Sequence, residues 1–443
     1  MSKLLVLVFA VFILLGCELF ERDSSEGYEI FVEVEDVFCT EAILKVTLPD
    51  SGKIARFLLE RAEGMKIDSA AIIDTFTCFD NDTLISDNNL LPDRDYTYRV
   101  SFLKSGKIRA ESEPLTIHTM DTTSHDITYW DIDTLGISGQ INDVWIVDED
   151  DIWVVGEINV PDPDSSWNGT GRETFNAAHW NGEKWEYIHI RGNLMNDVGP
   201  LNSIWYFDEN NIWVAGFPIH WDGNKWTLYH LQDMGLDVSV DYIWASSPDD
   251  IYFVGYKGSI VHYDGKEFEK MESGTDVDLQ GIYGLDKNHI WVAGTMINQS
   301  RSVILFYNGV KWNVIVDTND DRFYGYGFNS IWTDSYNYLF LNGGSGRCIL
   351  TLYNLNLFKY SSAGLWYGHD IDGTGNNDIF CSGAGSEIVH YNGISWHVYE
   401  ELKMSFGDWS VMRSIEVKNN LIVSGGYYYT GLYGLPIVIR GHR

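Results

Sequence analysis

Four histidines, His179, His220, His262 and His390, recur in one context, each followed by an aromatic residue and then by Asn-Gly or Asp-Gly. A repeated histidine invites a metal reading. Each of these, however, belongs to a separate repeat, at the position of a third strand that lies two spacings of ~4.8 Å outside an inner strand. Equivalent atoms in different repeats are then too far apart to share an ion held at ~2.1 Å. They read as architectural. Asp370-Ile371-Asp372-Gly373-Thr374-Gly375 places oxygens and glycine as the start of a calcium loop does. Its twelfth position is Cys381, where a bidentate Glu is needed, and the repeat register accounts for the same stretch. Calcium at Asp370 and Asp372 stays open at this stage, and no metal or other cofactor is assigned. No H-E-x-x-H, G-x-S-x-G, Walker A or βαβ-borne G-x-G-x-x-G motif occurs. The S-x-D-x-G-x-T-W box of sialidase propellers is absent too. The chain therefore reads as a non-enzyme with no catalytic residue assigned.

The balance of 64 acidic against 30 basic residues, a net charge of −34, argues against nucleic acid and against a basic patch on anionic lipid. Aromatics make up 14% of the chain, so a folded protein is expected. Met1-Ser2-Lys3 precedes an apolar run from Leu4 to Leu15, too short to span a bilayer and suited to a secretory signal. Leu14-Leu15-Gly16-Cys17 resembles the lipobox of bacterial lipoproteins, which implies residues 1–16 as a signal peptide and a lipid on Cys17. Residues 17–27 read as an acidic tether. They also resemble the surface-export signal of Bacteroidetes-type lipoproteins, and both readings stand. The four other cysteines permit the disulfides Cys39–Cys78 and Cys348–Cys381, with four buried thiols as the alternative.

All 17 tryptophans lie between Trp130 and Trp409, which sets a boundary near Asp121–His125. Ahead of it, β-type runs are split by turn residues. Leu90, Pro92, Tyr96 and Val100 match the L-x-P-x-x-x-Y-x-x-x-V signature, so residues 28–120 resemble a fibronectin type III domain. The resemblance implies an Ig-like sandwich with Tyr96 as a tyrosine corner. The usual strand-B Trp is missing, with Leu44 or Val46 in its place.

Beyond residue 125 a unit recurs seven times: an apolar strand, an Asp/Asn turn, then I-W-V-x-G. The closing glycines are Gly156, Gly216, Gly255, Gly294, Gly343, Gly383 and Gly425, spaced by 60, 39, 39, 49, 40 and 42 residues. A period near forty with about four short β segments is that of a propeller blade. The seventh unit lacks a fourth strand, and Ile127–Ile132 would supply it. The expected fold is all-β: a sandwich, then a seven-bladed β-propeller over residues 126–443, closed by an N-terminal strand. The whole resembles the Trp-rich repeat propellers of secreted bacterial lipoproteins, in which a fibronectin-like module precedes the blades.

In such a ring the blade-to-blade connections and the second-to-third-strand loops share one face. Here they are long and aromatic, with Trp167, then Tyr324 and Tyr326, Trp366, Phe406 and Trp409, and then Tyr427, Tyr428 and Tyr429. Loops on a rigid scaffold carry function, and exposed Tyr and Trp mark binding surfaces. Packing of these rings against the blades is the bland alternative. The function read from the sequence is a lipid-anchored binding or adhesion protein at the outer membrane or cell surface, holding a protein or glycan. A periplasm-facing anchor, a propeller enzyme acting on polysaccharide and a purely structural envelope scaffold are the alternatives.

Overall fold

The computed structural model describes residues 29–47, 55–67, 70–78, 82–162, 171–192, 198–296, 301–319, 327–344, 346–352, 355–360, 367–406 and 409–443. Cys17, Trp167, Tyr324, Tyr326 and Trp366 lie outside the described residues, as do the side chains of Cys78, Cys348 and Phe406. The chain divides into two compact units, Met1–Met120 and Asp121–Arg443. No helix among the described residues is long and apolar enough to cross a membrane.

The first unit has two antiparallel sheets. One orders Phe31–Val37, Glu41–Thr47 and Asp82–Asn88; the other orders Ala71–Cys78, Ala55–Glu63, Asp95–Lys104 and Lys107–Glu111, with Leu115–His118 also paired to Asp95–Lys104. Period-two alternation turns Tyr96, Tyr98 and Val100 inward, where they pack with Leu44, Val46, Phe57 and Leu59. The Leu91 N–H donates to the Tyr96 hydroxyl at 2.9 Å, fastening the strand to the loop that holds Pro92. Beneath it the buried Asp87 carboxylate accepts from Tyr98 at 2.7 Å and from Arg61 at 2.9 Å. Cys39 is buried in this unit.

The second unit contains, among its described residues, seven four-stranded antiparallel sheets in chain order. We call them I to VII. Their first strands are Ser138–Asp148, Ser203–Asp208, Val240–Ser247, Leu279–Asp286, Ser330–Trp332, Gly368–Gly375 and Val411–Lys418. In six sheets four consecutive strands pair in order. In sheet VII the fourth strand is Tyr129–Thr134, which pairs with Gly434–His442 from Ile437↔Thr134 to His442↔Tyr129. Arg440 reaches Asp133 at 2.9 Å and lies over the Trp180 ring of sheet I, so this pairing also ties sheet VII to sheet I.

The repeated glycines have a steric cause. In sheets I, III, IV, VI and VII the first strand bulges opposite the repeat's closing glycine on the second. A Cβ on Gly156 would strike the Gln140 carbonyl oxygen across that bulge, and one on Gly255 would strike that of Ser239. The Asn/Asp-Gly hairpins are equally local. Asn181 Oδ1 accepts from the Glu183 and Lys184 N–H groups, and Asp222, Asp264, Asn308 and Asn392 do the same in their own sheets.

The four histidines are built into the sheets. His179, His262 and His390 bond Asp151, Asp250 and Asp378 at 2.7, 2.7 and 2.9 Å, and His220 bonds Asn211 at 2.8 Å. Each ring also lies on a second-strand aromatic, Trp153, Trp213, Tyr252 or Phe380. Cross-strand contact and a carboxylate or amide partner account for their recurrence.

Candidate functional site

The two candidate regions are the loop face and the channel between the first strands. On the loop face the rings differ from one another. Trp409, between sheets VI and VII, is 76% exposed. Tyr427, Tyr428 and Tyr429 stand not on a loop but on the strand Leu421–Tyr429, opposite Pro436, Leu435 and Gly434. Only Thr430–Tyr433 turns. Tyr427 and Tyr428 are consequently half-buried, Tyr428 against the core of sheets VI and VII, while Tyr429 at the strand end is exposed. On either side of the 163–170 segment, which lies outside the described residues, the chain is likewise strand, since Asp151–Pro161 pairs with Arg172–Trp180 out to Pro161↔Arg172. Strand extension satisfies the backbone groups that a long loop would leave to water.

Sequence reasoning missed part of this face. Phe217 and Tyr256 each directly follow a second-strand glycine and are exposed, as are Met234 and Ile137; Leu432 and Tyr433, within the long aromatic 426–435 insertion that the sequence does mark, are exposed as well. Loop length gives no sign of Phe217, Tyr256, Met234 or Ile137; for the first two, an apolar residue straight after the closing glycine would have. All six sit on blade connections or second-to-third-strand turns, the same face as Trp409 and Tyr429. Tyr256 is 53% exposed and Tyr433 is 59% exposed, too open for rings that only fill a loop interior.

Cys381 is a buried thiol, and the side chain of Cys348, its expected partner, lies outside the described residues. It lies beside the Arg347 guanidinium, and burial pushes the thiol up to about 12. Arg347 in turn meets the fully buried Glu387 at 3.3 Å, and Lys403 meets Glu387 at 3.1 Å.

The first strands surround a cavity of about 570 Å³. Asn142, Asn202, Asn329 and His369 line it toward the loop face, and Trp145, Trp205, Tyr283, Asp372 and Glu416 toward the opposite face. Four carboxylates in this wall hold the first strands of successive sheets together. Asp143 accepts the Ser414 hydroxyl and the Ile204 N–H, while Asp370 accepts the Ser330 hydroxyl and the Ile415 N–H. Asp372 accepts from Val417 N–H at 2.7 Å, and Glu416 from Ile146 N–H. The Asp370 and Asp372 oxygens, spaced as at the start of a calcium loop, thus serve the sheet-to-sheet seams. Among the described residues no three His, Cys, Asp or Glu side chains are grouped to hold a metal ion. Desolvation pushes Asp143 and Asp372 up to about 7 and Glu416 well above the ordinary carboxylate range. Burial and the Arg413 charge push His369 down to about 4.

No protein-family model matches the chain, and no curated protein does. Solved structures do. The structure described as YCF48 bound to D1 peptide superimposes with a TM-score of 0.54 at 15% identity, over 73% of this chain and 100% of that one. The WD40 β-propeller domain of Doa1 gives 0.50 at 12% identity, covering 71% of this chain and 98% of its own. The WD40 repeats of RRP9 give 0.50 at 10% identity, with 71% and 98% covered. At such identities the likeness speaks for fold alone, and the fold is a β-propeller.

Proposed function

We propose that this is a lipid-anchored binding protein of the cell envelope, held at the outer membrane or cell surface through Cys17. In this reading a fibronectin type III-like sandwich serves as spacer, and one face of a seven-bladed propeller holds a protein ligand. The observation that carries it is the gathering of Phe217, Met234, Tyr256, Trp409, Tyr429, Leu432 and Tyr433, all exposed, on the connections and strand ends of a single face. Large apolar groups exposed on one side of a monomer mark interaction surfaces. Aliphatic Met234 and Leu432 among the rings favour a protein partner over a glycan, whose recognition rests on ring faces and polar groups. A propeller of like fold carries a peptide, which agrees with this reading.

The test replaces Trp409, Tyr429 and Tyr433 together by Ala and compares binding to a displayed peptide library and to a glycan array. Peptide binding should weaken at least about tenfold, the equivalent of 1.4 kcal/mol. Stability should change by no more than about 0.5 kcal/mol per site. Undiminished peptide binding, or recognition of glycans only, overturns the proposal.

A further inference from the structure

The seven first strands place equivalent residues around the channel. Trp145, Trp205, Trp244, Tyr283 and Trp332 each stand opposite the aromatic residue of the second strand, at Trp153, Trp213, Tyr252, Trp291 and Phe340. The sixth and seventh members of this tier are Asp372, opposite Phe380, and Glu416, opposite Val423. Five aromatics and two carboxylates therefore share one level of the channel. Trp244 and Trp332 are buried behind the wall, whereas Trp145, Trp205 and Tyr283 line the cavity with both acids. Trp145 and Trp205 contact each other with centroids 4.9 Å apart.

The approach to this tier is acidic. The turns that follow the first strands carry exposed Asp148, Glu149 and Asp150 in sheet I, Asp208 and Glu209 in sheet II, Asp249 in sheet III and Asp334 in sheet V. Lys287 and Lys418 are the exposed cations of the corresponding described turns. A concave site rimmed by one sign of charge concentrates ligands of the other sign.

We propose that this end of the channel is a binding site for an organic cation, an alkylammonium or guanidinium group seated between the rings of Trp145, Trp205 and Tyr283 and the carboxylates of Asp372 and Glu416. Ring faces attract a cation through their quadrupole, and the attraction grows when water is excluded. Asp372 and Glu416 supply the counter-charge once a docking cation displaces their protons. A small metal ion is the wrong occupant, because no three ligating side chains converge on it among the described residues. The channel of about 570 Å³, of which this site is one end, has room for an organic group. The site opens away from the aromatic loop face and goes beyond the function proposed for that face.

The free chemistry and its peptide-borne form are separated by probe. Calorimetry at pH 7 should use tetramethylammonium and butylammonium as free cations, butanoate as the anionic counterpart, and a short lysine-containing peptide. Saturable binding of the ammonium ions, none of butanoate, is expected. Because Asp372 holds a proton up to about 7, docking of a cation should expel protons, seen as heats that differ between buffers of different ionisation enthalpy. Glu416→Gln keeps an oxygen for the Ile146 N–H while removing the group that can ionise beside a bound cation, and should weaken binding at least tenfold with the protein still folded. Trp205→Leu should weaken it independently. Binding of the peptide but not of free amines would assign the cation to a lysine side chain and sustain the site. Failure of both probes, or equal affinity in wild type and a folded Glu416→Gln, overturns it. Glu416→Gln leaves the loop face intact, so loss of amine binding alone does not bear on peptide capture there.

Discussion

Ser414 donates its hydroxyl to Asp143 at 2.7 Å across the seam between sheets VII and I, although the two residues are 271 positions apart in sequence. The second oxygen of the same carboxylate receives the Ile204 N–H at 2.9 Å, so one side chain joins three successive sheets. Asp370 does the same for sheets V, VI and VII. The repeat places such an acid only where the neighbouring sheet offers a serine at the matching level.

Asp143→Ala should destabilise the propeller by about 1–3 kcal/mol, since a buried backbone donor and a hydroxyl lose their acceptor. Asp143→Asn, which retains one acceptor, should cost less. The carboxyl, raised by burial to about 7, binds its proton more tightly folded than unfolded. Its contribution to stability therefore declines as pH rises from the unfolded value of ~4 to 7. Denaturant midpoints at pH 4.5 and 7.5 should show that decline in wild type and a shallower one in Asp143→Asn.

His125 Nδ1 lies 2.8 Å from His390 Nδ1, and the His397 ring is 5.2 Å away. One of the facing nitrogens must lack a proton. Burial and the neighbouring His390 and His397 push His125 down to about 4. A base with a depressed folded value loses its stabilising effect as pH falls, here through the window from ~6.5 to 4. The opposing carboxylates act over an overlapping range, so the informative quantity is a difference. His125→Gln should flatten the acid side of the stability profile relative to wild type, and superimposable profiles would refute this assignment.

Removal of residues 126–134 should destabilise the propeller severely. Six register pairs with Gly434–His442 are lost, together with the Arg440–Asp133 ion pair and the Trp185 indole bond to Asp133. At roughly 1 kcal/mol per ladder hydrogen bond, the loss amounts to several kcal/mol. Deleting residues 28–118 should leave the propeller's melting transition in place, because that unit has its own core. Calorimetric scans of both truncations distinguish the two effects.

Cys17→Ser should abolish incorporation of radioactive fatty acid and leave the protein soluble or unprocessed. Unchanged labelling of the variant sinks the lipid-anchor proposal and leaves the propeller reading standing.

Much of the architecture was legible because it is encoded locally. The Ile-Trp-Val-x-Gly strand, the Asn/Asp-Gly hairpin and the aromatic segment before the first repeat each reflect a short-range requirement. These are a close backbone approach at Gly156, an Asx-bonded turn at Asn181, and an unpaired edge that Tyr129–Thr134 covers. The same locality explains why loop positions were misread at Tyr427 and Tyr428. Whether a strand runs on past its glycine depends on its partner, and Leu435 and Pro436 keep pairing with it.

The channel was not legible, for a different physical reason. Asp370-Ile371-Asp372 looks like a cation loop when read along the chain, and Glu416 looks like an ordinary strand residue. Their level, shared with Trp145, Trp205 and Tyr283, exists only after the sheets are arranged around one cavity. Closure places Glu416 against Ile146 N–H, 270 residues away, and desolvates the carboxyl. Charge state, exposure and neighbours at that level are properties of the closed ring, because desolvation and cross-sheet hydrogen bonds depend on what the other sheets bring. The sequence by itself determined the repeat, the strands and their turns; the tertiary structure decided which side chains meet in the channel and which rings remain open to a partner.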